Sequence, residues 1–85
     1  MPLISYFYGI KIYMQYDDHN PPHFHVVYNE FKALVEIKSG EIKGELPNRV
    51  KLMIKEWLKA HKEELLENWS LALDHKILHS IDPLN

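Results

Sequence analysis

"ISYFYGIKIYMQY", residues 4–16, decides how this chain begins to fold. The stretch is dense in Ile, Tyr and Phe and is broken only by Gly9, a composition that favours pleated strands over helix. It predicts one strand from about Ile4 to Tyr8 and a second from Ile10 to Tyr16. In the second, Ile10, Ile12 and Met14 alternate with Lys11, Tyr13 and Gln15, a period of two that buries one face. Downstream the same period returns. "HFHVVYN" at 23–29 resumes strand character, and "FKALVEIKSG" at 31–40 sets Phe31, Ala33, Val35 and Ile37 against Lys32, Leu34, Glu36 and Lys38. Between them Asn29-Glu30 is a short turn, and Ser39-Gly40 closes the second run. "EIKGEL" at 41–46 reads as a short edge strand.

From Asn48 to His75 the period changes to that of a helix, with Pro47 placed where a first turn tolerates it. Val50, Met53, Ile54, Trp57 and Leu58 define one apolar direction. Leu65, Leu66, Trp69, Ala72 and Leu73 define another, about 90° away at 100° per residue. A straight helix would have to rotate its buried stripe midway, so a break near Ala60-His61-Lys62 is expected. The sequence therefore predicts an α+β domain spanning residues 1–85, with a mostly antiparallel sheet of about four strands in the N-terminal half and two packed helices in the C-terminal half. Trp57, Leu58, Leu65 and Trp69 should close its core against Ile12, Val35 and Ile37. The tail from Lys76 to Asn85 is too short for another helix before Pro83, and Ile77 to Ile81 is expected to add an edge strand.

With 85 residues and no cysteine, the chain has one core and neither disulfides nor a thiolate cluster. Packing, a histidine-bound metal or association must supply its stability. Ten basic and twelve acidic residues leave a formal charge of -2, which argues against a dedicated nucleic-acid binder and leaves room only for a local basic patch. The N-terminus has no signal-peptide pattern and no run approaches the ~20 apolar residues of a membrane span, so a cytoplasmic protein is expected.

The chemistry concentrates in "DDHNPPHFH", residues 17–25. On a strand His23 and His25 project to one side and Phe24 to the other, their Cα atoms about 7 Å apart. His19 precedes them across a turn stiffened by Pro21 and Pro22. The spacing H-x3-H-x-H can bring His19, His23 and His25 onto one divalent ion such as zinc, leaving a fourth position open. Asp17 or Asp18 would then accept a hydrogen bond and fix a histidine tautomer. Alternatively His23 and His25 act without metal, as general base and acid on a phosphodiester, helped by Lys11, Lys32 or Arg49. The plainest alternative is a tight turn whose polar side chains satisfy backbone groups, beside two solvated histidines. The tyrosines read first as an aromatic sheet wall. On the helix, attraction between Lys59 and Glu63 is expected to offset repulsion between Lys51 and Lys55.

Taken together, Phe7-Tyr8-Gly9, the run Asp18-His19-Asn20-Pro21-Pro22-His23-Phe24-His25, and Glu63-Glu64-Leu65-Leu66-Glu67-Asn68-Trp69 resemble the small bacterial family catalogued as domain of unknown function 4160, over nearly the whole chain. That resemblance implies one member of a two-gene, toxin-antitoxin-like module, commonly beside a protein of another uncharacterised family. It assigns no catalytic residue, so the roles of His19, His23 and His25 rest on their spacing. Three functions are expected to compete. The first is a toxin-antitoxin-like component acting through a protein partner, with RNA as a candidate target. The second is a metal-binding protein or enzyme, and the third an adaptor domain. A partner from the neighbouring gene, or a homodimer, is expected because a domain this small has little stability to spare and its strands offer open edges.

Overall fold

The computed structural model describes all 85 residues. Strands β1 (Leu3–Phe7), β2 (Ile10–Tyr13), β3 (His23–Tyr28), β4 (Phe31–Glu36) and β5 (Ile42–Gly44) form one sheet in the order in which they occur in the chain. Every neighbouring pair is antiparallel. The sheet has five strands where about four were expected; the edge strand read from residues 41–46 forms as Ile42–Gly44, which pairs with Ala33–Val35 beyond β4. Two-residue turns, Tyr8-Gly9 and Asn29-Glu30, set the register of the β1–β2 and β3–β4 hairpins. Tyr8 and Gly9 both adopt positive φ, 50° and 79°, the left-handed pair that matches the twist of flanking strands. At β5 a side chain is excluded: Gly44 has φ 117°, and a Cβ there would stand 2.7 Å from the Lys32 carbonyl oxygen.

The expected alternation holds where it matters for the core. Ile10, Ile12 and Met14 are fully buried, as are Phe24, Val26, Val35 and Ile37. Helix α1 (Asn48–Leu73) supplies Val50, Ile54, Trp57, Leu58, Leu65, Trp69 and Ala72 to the same cluster. Each large side chain fully removed from water contributes roughly 1.5–3 kcal/mol. Trp57 lies at the centre, its ring 5.4 Å from Phe7 and 5.7 Å from Phe24.

The two packed helices expected from the sequence are one helix with a kink. His61 alone leaves helical dihedrals, at φ -124° and ψ 21°. The rotation of the apolar stripe is accommodated there, since residues 48–73 contain no glycine or proline that would separate the two halves with a loop. His61 faces Glu64 Oε1 at 2.7 Å through Nδ1.

The tail is the other departure. Ile77–Ile81 forms no strand. It is strapped down by isolated bonds instead: the Ile81 amide donates to the Ile4 carbonyl at 2.8 Å, Ser5 Oγ donates to the Ile81 carbonyl, and Trp57 Nε1 donates to the Asp82 carbonyl. Fully buried Asn68 clasps His79 with both ends of its amide, donating from Nδ2 to the carbonyl and accepting from the backbone N–H, each at 2.9 Å. Removing that amide strands a donor and an acceptor of the backbone. Asn68→Ala is expected to destabilise the fold by about 2–4 kcal/mol, read as a lower midpoint in urea denaturation, with faster hydrogen exchange at His79 and Ile81.

Candidate functional site

The turn after β2 carries Asp17 and Asp18 in opposite directions. Asp17, at φ 56°, pairs across the surface with His75 Nε2 at 2.8 Å, and the His75 ring stacks near Tyr16. Asp18 turns toward the start of β3. A cis Asn20-Pro21 bond lies in the segment that leads from it into the strand. Strand alternation then places Phe24 and Val26 in the core and leaves His23 and His25 together on the other side, their rings 5.2 Å apart.

Both imidazoles meet one oxygen. His23 Nε2 lies 2.8 Å and His25 Nε2 3.2 Å from Asp18 Oδ2. His23 is buried and packs against the Trp69 ring, while the side chain of His25 retains 24% of its exposure. The other nitrogen of His23, Nδ1, is 2.8 Å from the Pro21 carbonyl, which can only accept, so Nδ1 carries the proton and donates it there. Asp18 Oδ2 also only accepts, so the proton between it and Nε2 is the one that a metal ion bound at Nε2 would replace. A backbone carbonyl fixing the tautomer of a histidine is the arrangement commonly found behind metal-binding imidazoles.

Asp18, His23 and His25 have ligand-capable atoms all within 4.8 Å of one another. Two nitrogens and an oxygen bound at about 2.0–2.2 Å to a tetrahedral ion would stand about 3.3 Å apart, so small side-chain adjustments would admit one. His19, which the sequence offered as a third ligand, is exposed and outside this group, and a carboxylate takes the place expected of a nitrogen. The backbone N–H of His19 instead donates to Asp18 Oδ1 at 2.8 Å.

A cleft opens over the cluster, lined by Asp18, His19, His23, His25, Glu36 and Lys43 among others. Lys11, Lys32 and Arg49 do not line it, and Arg49 donates to the Tyr28 hydroxyl. Glu36, the register partner of His23, instead accepts from Lys43 Nζ at 3.1 Å. That hydrogen bond holds the Glu36 carboxyl below its ordinary value and the Lys43 ammonium above its own. Sequence reasoning missed this pair because it is formed across strands, between β4 and the edge β5. Its only signal was that Glu36 lies on the polar face of the alternating run.

The family model described as domain of unknown function (DUF4160) matches residues 9–70, a span that includes the whole Asp18–His23–His25 cluster. The chain belongs to that family. No curated protein and no solved structure matches it.

Burial pushes the Asp18 carboxyl up, but the His19 amide and the hydrogen bonds of His25 and His23 outweigh it, and the group is held below 3.8. A depressed folded-state value stabilises the fold at pH above the unfolded value, and that contribution is lost as pH falls through the folded one. Asp18→Asn is therefore expected to lower stability by about 1–3 kcal/mol at neutral pH. The gap to wild type should narrow as pH drops below 3.8, followed by urea denaturation across that range.

Proposed function

We propose that the protein binds a divalent metal such as zinc through Asp18, His23 and His25, and serves as the metal-holding member of a toxin-antitoxin-like pair in the cytoplasm. The observation that carries the metal reading is the convergence of two imidazoles and a carboxylate within 4.8 Å, with the His23 tautomer oriented by the Pro21 carbonyl. Three protein ligands leave a coordination position open toward the cleft, the pattern of a site that does chemistry on a bound water or substrate. The pairing with a neighbouring gene's protein rests on family membership. Support for a protein contact comes from the exposed side chains of Leu3 and Tyr6 on β1 and of Tyr8 in its turn, beside an edge that the tail covers in part at Ile4. No helix of the chain is long and apolar enough to cross a membrane.

A second reading has an observation of its own. Asp18 hydrogen-bonds both histidines while His25 stays accessible, so the same residues suit metal-free acid-base work on an RNA phosphodiester, with Asp18 orienting the rings. Metal affinity separates the two. On the metal reading, zinc raises thermal stability, by about 2.7 kcal/mol at a hundredfold excess over Kd. His23→Ala abolishes the rise, and affinity falls in acid because protons compete with the metal for the ligand nitrogens. Calorimetric titration with zinc and metal analysis of the purified protein measure this directly; an unchanged melting temperature with zinc rejects it. Co-purification of the neighbouring gene's product tests the pairing.

A further inference from the structure

The helix carries lysines that its own carboxylates do not neutralise. Lys51, Lys55 and Lys59 recur at four-residue spacing, where like charges repel and weaken a helix by a few tenths of a kcal/mol per pair. The attraction expected from Glu63 is missing, since the ion pairs of the molecule include no contact between Lys59 and Glu63. The kink at His61 lies between those two residues and disturbs the one-turn register that would bring them together. Lys55, Lys59 and Lys62 instead line a cleft against the β4–β5 turn, where Lys38 joins them. Lys62 Nζ is tethered over it by donating to the Lys38 carbonyl at 2.9 Å. Ile37 and Leu58 lie beneath it, buried at 0% and 6% exposure, and the open cleft measures about 360 Å³.

Four ammonium groups with no carboxylate within 4.0 Å, gathered on a chain whose net charge is -2, make a local focus of positive potential. We propose that this cleft binds phosphate groups of a nucleotide or of a single-stranded RNA, at a place separate from the Asp18 cluster. Phosphate suits it better than an acidic protein segment for two reasons. Lysine ammonium groups act as point charges that need no planar, bidentate partner. The volume falls at the small end of the range of small-ligand pockets, enough for a phosphate-bearing group among the lysine side chains.

The test uses the full chain in EDTA, so that its outcome does not depend on metal binding. Anisotropy is measured with a fluorescent oligouridine of about 12 nucleotides, and ATP is added as the free-nucleotide competitor. Lys55→Glu/Lys59→Glu is expected to weaken RNA binding by about tenfold or more, and to reduce the slope of log affinity against log salt by about 1.4, for two lost phosphate contacts. The milder Lys55→Gln/Lys59→Gln should weaken it less, and both variants should keep the wild-type circular-dichroism melting curve and zinc response. Displacement by ATP assigns the cleft to single nucleotides, and RNA binding that ATP does not displace assigns it to a strand. The proposal is overturned by absence of binding at low salt, by equal competition from a polyglutamate peptide, or by an equal loss from Lys11→Glu/Lys32→Glu, residues outside the cleft.

Discussion

Strand β3 has to serve two surfaces with one register, and the rest of the molecule depends on that constraint. Phe24 and Val26 are fully buried, while His23 and His25 alternate with them and meet Asp18. A slip of one residue against β2 or β4 would drive the imidazoles into the apolar core and expel Phe24. Six register pairs to β4 and three to β2 hold the strand in place, with the Asn29-Glu30 turn limiting any slide. The same pairing that builds the core therefore positions the candidate site.

Trp57 is where the other parts join. It is fully buried between Phe7 and Phe24, approaches His61 at the kink, and donates its indole N–H to the tail at Asp82. Sheet, helix and tail thus share one side chain, and a domain with no disulfide gains cohesion from that shared burial. The tail also leans on Asn68, whose amide replaces the ladder bonds a sixth strand would have made.

The kink in α1 links packing to surface charge. It lets Val50–Leu58 and Leu65–Ala72 bury different faces of one helix, and it interrupts the spacing between Lys59 and Glu63. The apolar stripe is satisfied by this change and the charges along the helix are not, which leaves lysines gathered beside the β4–β5 turn.

Period-two alternation in 10–14 and 31–37 determined which residues face the core, and the rotated stripe in 50–73 located the change of direction at Ala60-His61-Lys62. These were legible because each depends on neighbours within a few residues. Legible too was the cluster's home, since Asp18, His23 and His25 all lie in one short stretch. The choice among Asp17, Asp18 and His19 was not: all three occupy a turn, where no period says which way a side chain points, and only the packed molecule sends Asp17 to His75 and Asp18 to the imidazoles. The same holds for the Glu36–Lys43 pair, the Asn68 clasp and the lysine cleft. Each joins residues from different elements, and their meeting is decided by how helix and tail settle on the sheet, a global balance of burial that local pattern does not encode.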